Sequence, residues 1–279
     1  MDFGGTLAAA EKELLYRRLA AVSEVRGEHA GGAAWPDGAG GVAIVKEPGP
    51  ITQARFLPEF SADMLMGHCR YSTLRNEGNN ANNHPFQGAA SGGMPYALAH
   101  NGILADLAPL RRAYGLHAPG GIETDSYIAV QMLGLEAAVD ISSLSRLGGL
   151  LRGSFSFSVL DGGGNLYFLR GDVPVFLLRH IRRGFFVYAS TRDIFEEALL
   201  DTAFGRDYIL SNIDAAEGSG SAMQKITLEK GDVLRIGPDG EMRRARFAFD
   251  ESRAISHNWY RHNIEGNAEA ERQLRELNN

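Results

Sequence analysis

The sequence predicts an α+β fold: two packed antiparallel sheets with helices on the outside. Three observations carry that reading. Apolar strand-type runs fill both ends of the chain, helical patterning concentrates at residues 7–25 and 126–135, and turn signals such as Asp161-Gly162-Gly163-Gly164-Asn165 join neighbouring strands. With 279 residues, 44% of them hydrophobic and 22% charged, the chain is long and apolar enough to bury a substantial core.

Taken in order, residues 7–25 read as a helix. Leu15, Leu19 and Val22 recur at i, i+4 and i+7, while Glu11, Lys12, Glu13, Arg17 and Arg18 cover the opposite face. Thr6 is placed to cap it and Gly27 to close it. A Gly/Ala segment at 30–34 leads into Trp35, and Val42-Ala43-Ile44-Val45 is a short strand stopped by Pro48-Gly49-Pro50. Residues 64–71 form a second strand, 74–84 a polar loop, and 96–100 a strand ending at Asn101-Gly102. A helix over 126–135 starts beside Asp125. Strands follow at 154–160, 166–170, 175–178 and 185–189, then a short helix at 194–200 and late strands at 226–228 and 232–236. Gly218-Ser219-Gly220-Ser221 is the best candidate for a flexible loop, and 267–277 reads as a polar helix. The predicted organisation is one domain over 1–244 and a tail over 245–279.

A net charge of -6 argues against a nucleic-acid surface, which needs a basic stripe. No apolar run approaches the roughly 20 residues that span a bilayer, and the N-terminus lacks the pattern of a signal peptide. The single cysteine, Cys69, makes no internal disulfide, so the expected location is cytoplasmic. His68, His84 and His100 are too scattered in the sequence to argue for a metal, no phosphate-cradling glycine loop is present, and neither a metal nor a cofactor is expected.

The chemistry concentrates between residues 67 and 125. On a strand, His68 and Arg70 point one way and Cys69 and Tyr71 the other. A guanidinium offers a two-pronged donor to a carboxylate, although a strand-end arginine also serves as a structural ion-pair partner. Thr73 could add a hydroxyl to the same carboxylate or simply shape the loop. Asp125 could hold an ammonium or bond helix amides. Asn101 and Gly102 could direct a side-chain amide and a backbone N–H at an oxyanion, or form an ordinary Asn-Gly turn.

Taken in order, the blocks Arg26-Gly27, Gly67-His68-Cys69-Arg70-Tyr71-Ser72-Thr73, Asn83-His84-Pro85-Phe86, Ala99-His100-Asn101-Gly102 and Glu123-Thr124-Asp125-Ser126 resemble the class II glutamine amidotransferases of the N-terminal-nucleophile (Ntn) hydrolase superfamily, most closely their stand-alone bacterial members. The resemblance covers residues 1–240. It implies a four-layer αββα sandwich and hydrolysis of glutamine to glutamate, with ammonia passed to an acceptor on a separate synthase chain. It assigns Arg70 and Thr73 to the α-carboxylate, Asp125 to the α-ammonium, and Asn101 and Gly102 to the oxyanion hole.

The family's nucleophile is an N-terminal cysteine whose own α-amine is the base. Here residue 2 is Asp2, and residues 1–5 resemble the segment just after the family's first strand. Leu74 and His29 also depart from the family's usual residues. The expectation is therefore a chain that is inactive as written for want of its nucleophile, or a non-catalytic glutamine-binding or scaffold module of the same fold. In the first case the coding sequence would begin upstream.

Overall fold

The computed structural model describes residues 1–217 and 222–254; the expected 218–221 loop and 267–277 helix lie outside them. Its strands are β1 (Ala30–Pro36), β2 (Val42–Pro48), β3 (Met66–Arg70), β4 (Phe86–Ala89), β5 (Pro95–Leu104), β6 (Gly153–Asp161), β7 (Leu166–Arg170), β8 (Phe176–His180), β9 (Phe185–Ala189), β10 (Met223–Ile226), β11 (Asp232–Ile236) and β12 (Met242–Arg246). Its helices are α1 (Ala9–Ser23), α2 (Leu107–Tyr114), α3 (Tyr127–Leu135), α4 (Ile141–Leu150), α5 (Arg192–Leu199) and α6 (Ala203–Glu217).

A six-stranded antiparallel sheet, ordered β12-β11-β7-β6-β5-β4, forms the centre. Its strands alternate with period two between two buried faces. Tyr96, Leu98, Phe155, Phe157, Tyr167 and Leu169 face α3 and α4, where Ile128, Leu133, Leu144 and Leu147 complete one core. Ala97, Ala99, Leu160, Leu166 and Phe168 face the other way, toward Ala34, Met66, Leu177 and Phe186. Those four come from two three-stranded sheets, β2-β1-β3 and β10-β8-β9, which together make the second β layer. Outside it, Leu15 of α1 packs with Phe195 and Leu199 of α5 over Phe176 and Leu178. The order of layers is therefore helix, sheet, sheet, helix, the four-layer sandwich expected from the sequence.

Several local expectations are corrected. Thr6 does not cap α1: its hydroxyl donates to Arg183 O at 2.5 Å, and Ala8 holds the cap position, with its N–H on Glu11 Oε2 at 3.0 Å. Gly27 does not end a helix through a left-handed turn. Its backbone is extended after a 3₁₀ turn at Glu24–Arg26, and a Cβ there would collide with the Arg70–Tyr71 backbone. The 30–34 segment is a strand after all, the middle one of its sheet. Its residues are small because Ile51 and the His84–Pro85 backbone press against Gly31 and Gly32. The expected boundary at residue 244 falls inside β12, and beyond it Phe247 and Phe249 pack around Phe155.

Candidate functional site

All five residues singled out from the sequence line one cavity of about 60 Å³: Arg70, Thr73, Asn101, Gly102 and Asp125, with His68, His84 and His100 in the same wall. Arg70 ends β3, Asn101 and Gly102 lie on β5, and Asp125 precedes α3. The packing of the two β layers brings the end of β3, the middle of β5 and the start of α3 around one cavity.

Arg70 is buried, at 6% exposure, and its guanidinium is held in place. Nη1 donates to Asn83 Oδ1 at 2.8 Å and Nη2 to Asn76 Oδ1 at 2.7 Å. Two of its five N–H groups are thus given to neutral side-chain acceptors, which leaves its charge uncompensated by those bonds. Burial lowers its pKa from the ordinary value, while Glu77 and Asp125 oppose that shift. Thr73 is exposed at the rim. Asp125 does not bond the amides of its own helix. Its Oδ2 accepts from Leu104 N at 2.6 Å, which ties the start of α3 to the end of β5 and leaves Oδ1 to the weaker Thr124 and Ser126 hydroxyl contacts.

Gly102 has φ +132°, a region nearly closed to residues with a side chain, and a Cβ would fall closer than 3.0 Å to Ser154 O. The Asn-Gly pair is not a turn but part of a continuous strand, with Asn101 opposite Ser156 and Gly102 opposite Phe155. Asn101 shares the inter-sheet face of Ala97 and Ala99, and its Nδ2 donates to Ser190 Oγ at 3.2 Å.

Histidines far apart in the sequence meet here. The rings of His68 and His84 have centroids 4.4 Å apart, and those of His84 and His100 are 6.5 Å apart. His100 stacks on Phe157 and shares a 2.9 Å hydrogen bond with Ser126 Oγ. Burial, with His100 and Arg70 nearby, pushes His68 down to about 3. It also holds His84 well below the usual imidazole value, helped by His68 and His100. His100 is lowered by burial, against the pull of Asp125. Both ring nitrogens of His84 and Nε2 of His100 are buried without a partner. Among the described residues no group of three or more His, Cys, Asp or Glu could hold a metal ion, and no helix is long and apolar enough to cross a membrane.

A second cavity, of about 170 Å³, adjoins the first and shares Arg26, His68, Cys69 and Asn101 with it. It lies between β3, through Gly67, His68 and Cys69, and β9, through Phe186, Val187, Tyr188 and Ala189. Each of those strands is the edge of its three-stranded sheet.

No site role for Asn76, Asn83 or Ser190 is legible in the sequence: Asn76 and Asn83 fall in the polar 74–84 loop and Ser190 just past a strand, and only the fold shows that they touch site residues.

No family model matches the chain. It is 30% identical over 236 residues to an amidophosphoribosyltransferase of Mycobacterium leprae, covering 80% of this chain and 38% of the relative. It is 28% identical over 186 residues to a glutamine–fructose-6-phosphate aminotransferase of Geobacillus kaustophilus, covering 64% and 30%. The chain thus spans about a third of the length of these relatives. Among solved structures it superposes on a glutamine phosphoribosylpyrophosphate amidotransferase from B. subtilis, with TM-score 0.63, 19% identity, and 86% of this chain and 47% of the other covered. The chain therefore has the αββα fold of that amidotransferase, and the relatives it resembles in sequence are an amidophosphoribosyltransferase and a glutamine–fructose-6-phosphate aminotransferase.

Proposed function

We propose that the 60 Å³ cavity is the glutamine site of a glutaminase domain, and that the 279-residue chain binds glutamine without hydrolysing it. One observation carries the reading: a buried guanidinium, a carboxylate and an amide with a glycine N–H line a single small cavity, matching the two charged ends and the carbonyl of a free amino acid amide. Arg70 and Thr73 would take the α-carboxylate, Asp125 the α-ammonium, and Asn101 with Gly102 the oxyanion formed on attack. Relatives named for glutamine support the choice of ligand.

Cys69 does not supply the nucleophile. Its Sγ turns to Ala20 O at 3.7 Å on the α1 side, and burial, with Glu24 nearby, pushes the thiol up to about 12. A nucleophile-bearing strand nevertheless has a place to lie. Met1 and Phe186 exchange both backbone hydrogen bonds, at 3.0 and 2.7 Å, at the mouth of the 170 Å³ cavity. A residue ahead of Met1 in that register would face Val187, and those before it would run between the free edges of β3 and β9 toward Ser190 and Asn101. Ammonia made there would pass to a synthase on a separate chain.

The second reading is a non-catalytic glutamine-binding or scaffold module. It is favoured by the bonds of Arg70 to Asn76 and Asn83 and of Asp125 to Leu104 N, which give both residues a role in the fold that needs no chemistry. Isothermal titration with glutamine, together with an ammonia-release assay, tests the proposal. Binding without ammonia is expected; no binding at millimolar glutamine sinks the assignment, and ammonia release that survives Cys69→Ala sinks the claim of inactivity. The same assay on a chain extended upstream by a cysteine-led strand separates the two readings, because only the first expects ammonia.

A further inference from the structure

Five asparagines fall within residues 76–83, in the stretch whose polarity marks a loop. Two of them, Asn82 and Asn83, are buried behind the cavity and bond to different parts of its lining or of the segment that leads to it. Asn83, fully buried, gives Oδ1 to Arg70 Nη1 at 2.8 Å, and its Nδ2 donates to Glu77 O at 2.9 Å. Asn82, at 1% exposure, braces the segment that leads into Thr124 and Asp125: Nδ2 donates to Gly121 O at 3.0 Å and Oδ1 accepts from Glu123 N at 2.8 Å. Glu123 lies two residues before Asp125.

We infer that Asn83 and Asn82 are positioning residues for opposite ends of the bound amino acid: Asn83 orients Arg70 toward the α-carboxylate, and Asn82 fixes the 121–125 segment that presents Asp125 to the α-ammonium. The inference rests on the reading of the cavity as a glutamine site. The residue type follows from the chemistry. A neutral amide oxygen orients a guanidinium without neutralising it, whereas a carboxylate at 83 would form an ion pair with Arg70 and compete with the ligand. At 82, one side chain must accept from a backbone N–H and donate to a backbone carbonyl at the same time. An amide does both, and an ionised carboxylate of the same shape cannot.

The test uses three ligands, titrated by calorimetry or ligand-observed NMR: glutamine, 4-aminobutanamide, which lacks the α-carboxylate, and glutaramic acid, which lacks the α-amine. Losing the orientation of one charged contact is expected to weaken binding roughly tenfold. Asn83→Ala and the isosteric Asn83→Asp should weaken glutamine and glutaramic acid and leave 4-aminobutanamide within about twofold, the resolution of such titrations. Asn82→Ala and Asn82→Asp should weaken glutamine and 4-aminobutanamide and spare glutaramic acid. Equal weakening of all three ligands by either residue, or unchanged glutamine affinity, overturns the inference while leaving the glutamine site standing. A wild-type chain that binds no glutamine overturns the site itself and this inference with it.

Discussion

Replacing Gly102 with alanine tests the oxyanion wall through the backbone alone. Two costs combine. The residue sits at φ +132°, where a side chain is strained by about 1–3 kcal/mol. The new Cβ would also meet Ser154 O, Ser154 C and Phe155 Cα, all closer than 3.0 Å and all backbone of β6, which is paired on both sides by β5 and β7. A neighbour of that kind cannot rotate away, so overpacking adds about 1–3 kcal/mol. The sum is roughly 2–6 kcal/mol, a large share of the roughly 5–15 kcal/mol that holds a domain folded. Gly38→Ala is the control: φ is +76° but the space is open, so only the strain remains. Denaturant midpoints at equal m-value, followed by far-UV circular dichroism, give the difference. If Gly102→Ala costs no more than Gly38→Ala, the close approach of β5 to β6 does not set the conformation of Gly102, and the case for its N–H being aimed into the cavity falls.

Arg70→Ala should weaken glutamine binding by roughly 2–5 kcal/mol, because a buried charged contact loses one partner; unchanged affinity by titration would refute the assignment. Stability should fall with acidification below about pH 6.5. His68, pushed down to about 3, and His84, held well below the usual imidazole value, stay neutral when folded, but each takes up a proton when unfolded, which costs roughly 1.4 kcal/mol per pH unit per histidine, or about 4 kcal/mol for both at pH 5; burial of His100 acts in the same direction. Urea midpoints between pH 7.5 and 5 should show this slope, His84→Gln should reduce it, and a flat profile would contradict the burial argument. Cys69 should react with a thiol reagent slowly in the folded protein and at the rate of a free thiol in denaturant; fast labelling of the native chain would mean that its thiol is neither buried nor raised.

Period-two alternation and turn residues were enough to read β5 to β9 and β11, because those strands are buried on one or two flat faces and their side chains report it. The 30–34 segment escaped as a strand because its residues are selected for smallness under Ile51 and the His84–Pro85 backbone, and small residues carry no periodic signal. The five cavity residues were legible only as an ordered set of short blocks, since each block taken singly has an ordinary structural meaning. The asparagines were illegible for a different reason: an amide that braces a backbone 41 residues away looks, in sequence, like one that faces water. The three histidines meet because the sheet holding β3, the sheet holding β5 and the loop before β4 pack together, a fact of topology that no local pattern carries.

The site residues have structural work of their own, and this changes what their presence can mean. Arg70 satisfies the buried side-chain oxygens of Asn76 and Asn83. Asp125 takes the Leu104 N–H, and Gly102 makes room for Ser154 O. Losing any of the three would cost folding free energy whether or not glutamine binds, through an orphaned buried polar group in the first two and a backbone collision in the third. Retention of these residues therefore does not distinguish a working glutaminase from a module that has lost its chemistry. Ligand discrimination does distinguish a binding site from a purely structural one. A structural Arg70 has no reason to prefer glutamine over 4-aminobutanamide, whereas an Arg70 whose guanidinium binds the ligand's carboxylate does. The preference for a free α-carboxylate, measured on the intact chain, is thus the quantity that separates ligand recognition from fold maintenance at this site.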